Sequence, residues 1–499
     1  MKLTTWMVAL ASAWVFTGCG IDDEGVEESD TSSASSGPRQ RYIVVFKTDR
    51  APADATTRIT RAGGRAKRVI AGAGVATFEG TQAAAAALRS DPSVLEVGIE
   101  HVYRVPTPER RRVEPPIGQP TSEDFLWSYQ WDIRRIGAPA VWDRPQPARR
   151  PRVAVLDTGV AIDHPDLAGQ IVEEKAFTYC TPIAPQISVA YPAYDTLIDF
   201  TGDGFWDPTE GCTPAPLVYQ SHGTHVAGTI AGRRGGGAIV GVAPNAEIGA
   251  YKVFDRYRYD DPDLGVVEDF GAFEGPLFAA IIDAADAGYP VINMSLGSEF
   301  DKRDGKAAWQ AWKRVTNYAF SRGTLIVAAQ GNSSLDLTGS LVNVPSDLPH
   351  VLGVSATGTN ELLVDETNIT LDAGPGSDVL AFYSNYGRPV DIAAPGGDCG
   401  PMFPEQCFGE HMILSAYIVE QDLDFGDGNI LPAGTLDYAW FIGKSMASPH
   451  VAAVAAQVRA KHPQWGPGAA RARVIQTAEH IGPKKLFGGG LVDADRATR

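Results

Sequence analysis

The chain has 499 residues, 44% of them hydrophobic, which is enough for a large core and for more than one domain. Its 60 acidic residues outnumber its 43 basic residues and give a formal charge of −17. That surplus argues against nucleic acid as a partner.

Residues 1–19 have the layout of an export signal. A lysine precedes an apolar run from Trp6 to Phe16, which is short for a membrane span, and Thr17-Gly18-Cys19 follows. Phe-Thr-Gly-Cys resembles a bacterial lipoprotein box, so Cys19 is the expected lipidation site and membrane anchor. An ordinary signal peptide that includes a cysteine is the alternative. We expect an exported protein, either held in the bacterial cell envelope as an outer membrane lipoprotein or released outside the cell.

Residues 20–40 form an acidic, serine-rich segment that cannot bury enough apolar surface to fold, so we predict a tether. Residues 41–105 predict a small α+β domain, and residues 106–124 a proline-rich linker. Residues 39–112 carry 14 basic against 7 acidic side chains, so the rest of the chain is more acidic than the total suggests. In the small domain we predict strands at Tyr42–Phe46, Val69–Phe78 and Val94–Ile99, and helices at Ala53–Ala62 and Thr81–Arg89.

Residues 125–499 predict a single large domain in which apolar strands alternate with helices. The predicted strands are apolar throughout, which is typical of a parallel sheet buried on both faces. The fold class is therefore α/β, a doubly wound and mostly parallel sheet with helices on both faces, preceded by the small α+β domain. The strands are Val153–Leu156, Ile248–Val253, Val291–Met294, Leu325–Ala329 and Val351–Val354, and the helices Gly223–Gly232, Pro276–Ala287, Lys306–Ser321 and Ser445–Lys461.

Three segments place reactive side chains at strand ends or helix starts. Asp157 ends a buried strand, His222 lies in Ser-His-Gly-Thr-His-Val-Ala-Gly, and Ser445 begins a helix in Gly-Lys-Ser-Met-Ala-Ser-Pro-His. Taken singly, a turn aspartate, a structural histidine and a helix-capping serine explain them. In the order Asp, His, Ser they match one arrangement of the serine-protease triad and differ from that of the α/β-hydrolases, which also need G-x-S-x-G. This excludes an esterase or lipase of that type.

From about Phe125 onward the chain resembles the subtilisin (subtilase) family of serine proteases. The resemblance extends to His164-Pro-Asp-Leu, Gly241-Val-Ala-Pro, Asn293-Met-Ser-Leu-Gly and Ala394-Pro-Gly, and residues 41–105 resemble the family's inhibitory propeptide. It implies a secreted or surface-anchored serine endopeptidase, made as a self-inhibited proenzyme that acts on polypeptide substrates through an acyl-enzyme. Ser445 is then the nucleophile, His222 the general base and Asp157 its orienting carboxylate, while His225 has a packing role.

The same resemblance implies the remaining site residues. Asn332 is the expected oxyanion donor, and the main chain at five positions is expected to bind substrate as an added strand. Asn343 and Ser333 fall near the pocket for the residue before the cut; neither is charged, so we expect no strict demand for a charged residue there. The five substrate-binding positions are Ser295, Leu296, Gly297, Ala329 and Gly331.

Two features depart from the family pattern. Lys444 stands where a threonine normally supplies a hydroxyl to the oxyanion, and it could instead provide a cation or point to solvent. The alternative function, a catalytically impaired binding protein with the same fold, rests on this lysine. The family's calcium loop reads Arg233-Arg-Gly-Gly-Gly-Ala-Ile, and its arginines disfavour a cation there, although Asp166 of that site is present.

Another acidic loop predicts a structural calcium ion. Asp199, Asp203 and Asp207 surround a glycine turn and resemble an oxygen-ligand loop, although the EF-hand spacing is absent and a solvated loop is the alternative. No cofactor is expected for the chemistry itself.

The four cysteines other than Cys19 allow three disulfide pairings, of which the local one is Cys180–Cys212 with Cys399–Cys407. Zinc is disfavoured as the alternative, because no C-x-x-C occurs.

Overall fold

The computed structural model describes residues 39–104, 110–112, 124–178, 195–196, 212–213, 221–261, 265–365, 370–374, 376–420, 423–424 and 430–499. The helices are α1 (Ala55–Arg61), α2 (Gln82–Arg89), α3 (Trp131–Arg135), α4 (Pro139–Trp142), α5 (Ser221–Ala231), α6 (Glu274–Asp286), α7 (Lys306–Ser321), α8 (Lys444–Lys461), α9 (Pro467–Thr477), α10 (Lys484–Phe487) and α11 (Ala494–Ala497). The strands of the first half are β1 (Arg39–Phe46), β2 (Arg65–Ile70), β3 (Val75–Thr81), β4 (Val94–Ile99), β5 (Val102–Arg104), β6 (Arg110–Arg112), β7 (Arg152–Asp157), β8 (Ile171–Ala176), β9 (Asp195–Thr196), β10 (Cys212–Thr213), β11 (Glu247–Lys252), β12 (Asp255–Asp261) and β13 (Gly265–Phe273). Those of the second half are β14 (Val291–Met294), β15 (Ser298–Asp301), β16 (Leu325–Ala329), β17 (Leu341–Val344), β18 (Val351–Thr359), β19 (Leu362–Asp365), β20 (Thr370–Ala373), β21 (Asp378–Leu380), β22 (Ile392–Pro395), β23 (Ile413–Ile418), β24 (Leu423–Asp424), β25 (Ile430–Leu431) and β26 (Leu436–Phe441).

The small N-terminal domain, residues 39–104 and called the leader domain below, is an antiparallel sheet in the order β2-β3-β1-β4. Side chains alternate across a strand, and β1 uses both of its faces. Tyr42, Val44 and Phe46 pack under α1 and α2, whereas Ile43 and Val45 join the core of the large domain. The leader domain is thus docked through the sheet face opposite to its own helices.

The single strand expected at Val69–Phe78 is wrong, because the structure contains an antiparallel hairpin there. Strands β2 and β3 are separated by a 3₁₀ turn at Ala71–Ala73 and reversed at Gly74, whose φ is +63°. Glycine adopts this left-handed backbone without the penalty that a Cβ brings. The sequence Ala-Gly-Ala-Gly was the local sign of this turn.

The large domain is built around the expected parallel sheet. Its order is β21-β18-β16-β14-β7-β11-β8; neighbours from β18 to β8 run parallel and β21 is antiparallel. Alternate residues of β7 reach opposite layers: Val153 and Val155 pack in one core with residues of α5 and α8, and Ala154 and Leu156 in the other with residues of α6 and α7. The doubly wound prediction is confirmed.

The carboxyl ends of the parallel strands β7, β14 and β16 lie at one edge, where ligands of such sheets usually bind. Asp157 is the last residue of β7, Ser295 follows β14, and Gln330 follows β16. The sheet order therefore brings three predicted segments to one edge.

Two further features concern the segments around this core. Part of the predicted linker, β6, pairs antiparallel with the end of β26. A disulfide joins Cys399 to Cys407, as the local pairing predicts.

In the part of the chain that the structure describes, no helix combines the length and apolar character needed to cross a membrane.

Candidate active site

Asp157 and His222 meet at the edge of the sheet. The Nδ1 atom of His222 lies 2.7 Å from Oδ1 of Asp157, and both side chains are buried. Because the carboxylate oxygen only accepts, Nδ1 carries the proton and Nε2 presents its lone pair. This Nε2 is buried and has no hydrogen-bond partner among the described residues. The arrangement is that of a histidine whose tautomer an aspartate fixes.

The close approach of α5 to the end of β7 depends on Gly223. A Cβ on this residue would collide with the carbonyl oxygen of Gly159 and lie 3.2 Å from Cβ of Asp157. The N–H of Gly223 donates to Oγ1 of Thr158 at 3.0 Å, which fixes the helix start against the strand end. Glycine at this position therefore permits the distance at which Asp157 reaches His222.

His225 has the packing role that was expected. Its ring stacks on Phe441 with centroids 4.4 Å apart, and Nε2 lies 3.1 Å from the carbonyl oxygens of Ile413 and Ala439. Burial lowers the pKa of His225 to about 3, so the ring is neutral.

Ser445 is the second residue of α8 and is 3% exposed. Its Oγ donates to the carbonyl oxygen of Ser295 at 3.0 Å, and the carbonyl of Ser445 accepts from Oγ of Ser295 at 2.8 Å. No hydrogen bond joins Ser445 to His222 in this state, although α8 packs directly against α5. The structure thus pairs the aspartate with the histidine and holds the serine hydroxyl on the segment between β14 and β15.

Asn332 lies beside the start of α8. Its Oδ1 accepts the N–H of Lys444 at 3.0 Å, and a Cβ on Gly443 would be 3.4 Å from its Nδ2. Since the backbone N–H must face Oδ1, the Nδ2 donor is turned away from Lys444. Gly443 has φ +150°, which favours glycine at the residue just before α8.

Lys444 takes neither of the two orientations considered for it. Its side chain is fully buried, and Nζ donates to the carbonyl oxygen of Asn385 at 3.1 Å. Burial lowers the pKa of Lys444 well below its usual value, against the attraction of Glu299 and Asp347. The amine is therefore part of the protein interior.

The expected substrate positions line one cavity of about 340 Å³ next to Ser445. Its lining includes Ser295, Leu296, Gly297, Ala329, Gly331, Asn332 and Ser333, and also Val102 of the leader domain. Asn343 forms the wall behind Gly297, because a Cβ on that glycine would lie 2.8 Å from Nδ2 of Asn343. The structure thus brings the positions named by the sequence motifs together around one cavity.

Sequence reasoning missed Glu299, whose carboxylate also lines this cavity. Its Oε1 accepts from Nδ2 of Asn385 at 2.7 Å and from Oγ of Ser333 at 3.2 Å. A negative charge therefore lies in the pocket for which the sequence indicated only neutral side chains. The sequence did not indicate Glu299 as a pocket residue, because it follows the recognisable Ser-Leu-Gly motif but belongs to no motif itself.

The residue retained from the family's calcium loop, Asp166, is surrounded by hydrogen-bond donors. Its Oδ1 accepts from the N–H groups of Ala238 and Ile239 at 3.0 and 3.2 Å, and its Oδ2 from the hydroxyl of Tyr438 at 2.6 Å. Calcium needs several oxygen lone pairs, which this donor set does not offer. Burial raises the pKa of Asp166 to about 6.

Other predicted sites lie outside the described residues or are described only in part. Cys212 lies in β10, but its side chain is not described. The remaining ones, all outside the described residues, are Cys19, Cys180, Asp199, Asp203 and Asp207.

The chain is similar to known proteins over most of its length. The model of the subtilase family matches residues 148–490. Subtilisin BL of Lederbergia lenta is 31% identical over 74% of this chain and 99% of its own, and subtilisin NAT of Bacillus subtilis subsp. natto is 26% identical over 94% and 93%. The solved structure of the epidermin leader peptide processing serine protease of Staphylococcus aureus shares the fold, with a TM-score of 0.63 at 22% identity over 93% of this chain and 98% of that one.

Proposed function

Because the chain belongs to the subtilase family and is a serine-type endopeptidase with a subtilisin-like fold, we propose that Asp157, His222 and Ser445 are its catalytic triad. The single observation that carries this proposal is the 2.7 Å contact between Asp157 and His222, which leaves Nε2 of the histidine buried, unpaired and able to accept a proton. Such a base activates a serine hydroxyl for attack on a peptide carbonyl.

In the proposed reaction, Oγ of Ser445 attacks the carbonyl carbon while its proton passes to Nε2 of His222. The C–N bond then breaks, His222 returns the proton to the leaving amine, and an ester on Ser445 remains. Water repeats the sequence and releases the acid. Asp157 stabilises the imidazolium that forms in both halves, and Nδ2 of Asn332 with the N–H of Ser445 stabilises the oxyanion.

The reaction requires Ser445 to leave its present partner. Its hydroxyl now donates to the carbonyl of Ser295, and this hydrogen bond must break before the proton can pass to His222. Catalytic hydrogen bonds are often long or misaligned before substrate binds and tighten in the complex. Since Ser295 belongs to the substrate-binding segment, an incoming peptide would disturb this contact as it docks.

Labelling with a fluorophosphonate tests the triad directly. The enzyme freed of its leader domain should incorporate the probe on Ser445, and Ser445→Ala should abolish incorporation. His222→Ala should slow it by about 10⁴-fold or more, since triad members act as a unit. Ser448→Ala is the matched control, because this buried serine lies on the same helix and donates to Asn293 instead. Labelling that survives Ser445→Ala refutes the assignment.

We also propose that the leader domain inhibits the enzyme before maturation. Oε1 of Glu100 accepts the N–H of Gly275 at 2.8 Å in the first turn of α6, and β5 pairs antiparallel with β13. Val102 lines the cavity that contains Ser445, so the leader tail covers the place where substrate would bind. A carboxylate at a helix N-terminus is favourably placed for such docking.

Self-cleavage of the leader can be followed by N-terminal sequencing. Purified wild type should lose its first ~100 residues, a length that follows from the domain division, whereas Ser445→Ala should keep them. Loss of the leader from isolated Ser445→Ala would show that another protease removes it. N-terminal sequencing tests self-cleavage only. Inhibition by the leader domain is tested separately, by measuring the activity of the uncleaved chain.

We also propose that the protein is exported, lipidated and stabilised by calcium. These proposals concern parts of the chain outside the described residues. Cys19 would carry the lipid, and the loop with Asp199, Asp203 and Asp207 would hold a structural calcium ion through its carboxylates. Incorporation of labelled palmitate that Cys19→Ser abolishes tests the first. A melting temperature that a chelator lowers tests the second, and an unchanged midpoint rejects it.

A further inference from the structure

The leader tail inserts one aromatic side chain deep into the large domain. Tyr103 is fully buried, and its strand pairs in register with β13, with Tyr103 opposite Ala272. An extended peptide added to a strand in this way presents its side chains to fixed pockets. The position of Tyr103 is therefore that of one substrate residue upstream of the bond to be cut, if the tail lies as a substrate does.

The pocket around this tyrosine is apolar except at its end. Tyr103 shares a cluster with Leu277, Phe278, Leu296 and Trp312, and its ring meets the Trp312 ring edge-on with centroids 5.5 Å apart. All four of these cluster residues belong to the large domain and remain after the leader domain is released. The walls thus accept an aromatic ring of this size.

The end of the pocket is a buried carboxylate. The hydroxyl of Tyr103 donates to Oε1 of Glu274 at 2.7 Å, and Nε1 of Trp312 lies 2.9 Å from the same oxygen and 2.6 Å from the hydroxyl. Oε2 accepts the backbone N–H of His101 at 3.0 Å. Glu274 is 0% exposed.

Two of these three donors to Glu274 come from the leader. After its release, only Nε1 of Trp312 remains of the three, and the carboxylate faces the emptied pocket. A ligand that fills the pocket without a donor would leave a charged acceptor buried and unpaired. A site built to hydrogen-bond a substrate hydroxyl rejects the analogue that lacks it, whereas extra apolar bulk is discriminated weakly.

We propose that Glu274 and Trp312 make the mature enzyme select polypeptides with tyrosine, rather than phenylalanine or an aliphatic residue, at the position that Tyr103 occupies. This inference rests on the proposed endopeptidase function and names a substrate class for it. The phenol ring fills the apolar walls, and its hydroxyl supplies the donor that Glu274 requires.

Paired peptides test the selection. Peptides with the sequence of residues 97–112 that carry Tyr, Phe or Leu at position 103 are cleaved by the leader-free enzyme, and the cut is located by mass spectrometry. We expect kcat/KM for the Tyr peptide to exceed that for the Phe peptide by about 10- to 100-fold, and Glu274→Gln to reduce this ratio to about threefold or less. Asp286→Asn, at the exposed end of the same helix, should keep the wild-type ratio. Equal rates for Tyr and Phe, or a ratio that Glu274→Gln leaves unchanged, overturn the proposal.

A second measurement does not need activity. In the full chain carrying Ser445→Ala, Tyr103→Phe should speed hydrogen exchange of the amides in β5 and β13 by about tenfold, because the buried carboxylate loses its donor. Unchanged exchange overturns the selection even if Ser445 reacts with a fluorophosphonate. Faster exchange, together with a leader-free wild-type enzyme that fails to label, would instead refute the proposed catalysis and still support the tyrosine pocket.

Discussion

The side-chain carbonyl of Asn332 accepts the backbone N–H of Lys444, 112 positions along the chain, at 3.0 Å. This bond spans the start of α8 and orients the amide so that its Nδ2 donor faces away from the helix backbone. It couples the residue that would stabilise the oxyanion to the peptide that immediately precedes Ser445.

Replacing Asn332 separates its two roles. Asn332→Leu should lower kcat by about 10²–10³ with little change in KM, since the lost donor acts only on the developing oxyanion. Asn332→Asp keeps an acceptor for the N–H of Lys444 but puts a negative charge beside the oxyanion, so its kcat should be at least as low. Steady-state kinetics after leader removal in trans by wild-type enzyme measure both.

The control for these variants is Asn245→Leu, since Asn245 lies away from the cavity and donates to Gln146. A rise in KM at unchanged kcat in Asn332→Leu would assign Asn332 to substrate binding instead.

The burial of Lys444 predicts a stability gain when its amine is removed. Lys444→Met retains the length of the stem and should raise the free energy of unfolding at pH 7 by about 1–3 kcal/mol, after allowing for the hydrogen bond lost to Asn385. The background is Ser445→Ala, which prevents self-digestion. Lys484→Met, at an exposed lysine, is the control.

The pH dependence of this gain has a definite sign. Burial lowers the pKa of Lys444 in the folded state, so between that pKa and 10.5 the unfolded chain binds the extra proton. Stability from this group therefore rises with pH through that window. Denaturant titrations should show the advantage of Lys444→Met shrinking from pH 7 to pH 10. A gap that widens with pH would mean that Lys444 is held charged.

The sequence predicted the parallel sheet and the placement of Asp157, His222 and Ser445 because short stretches of sequence are enough to indicate each of these features. Apolar runs mark the buried strands, and each residue of the proposed triad stands in its own motif at a strand end or a helix start. The helix at Lys306–Ser321 was predicted at both ends, since its apolar face repeats with helical spacing.

What could not be predicted depends on contacts between distant segments. Tyr103 lies 171 positions from Glu274 and 209 from Trp312, and no local pattern joins them. The sequence led us to expect a surface or active-site cation at Lys444, because the residue type indicates a charge but does not indicate burial. The leader hairpin was missed although Gly72 and Gly74 mark its turn, because Val69, Ile70 and the two alanines make an apolar run that continues into β3.

Glu299 predicts a preference at the residue before the cut. Its carboxylate lines the cavity beside Ser445, where its hydrogen-bond partners Asn385 and Ser333 are neutral. Peptides with arginine or lysine before the cut should therefore be favoured over leucine. Glu299→Gln should lower kcat/KM for the basic peptides alone, by about tenfold.

Glu361→Gln, an exposed carboxylate away from this cavity, should leave the ratio of basic to leucine peptides unchanged. If Glu299→Gln also leaves that ratio intact, the carboxylate does not act on the residue before the cut and the pocket has no charge preference.

The Cys399–Cys407 disulfide closes a short loop that follows the glycine-rich end of β22. A loop of this size restricts the unfolded chain enough to stabilise the fold by about 2–3 kcal/mol in the loop-entropy model. Replacing both cysteines by serine in the Ser445→Ala background should lower the unfolding free energy by that amount, measured without reductant. When the denaturation is repeated with reductant, the unfolding free energy of the parent should fall to that of the variant. The value for the variant should not change. A parent that is insensitive to reductant, yet more stable than the variant, would place the loss in the packing of the buried Cys399 side chain instead of in the covalent bond.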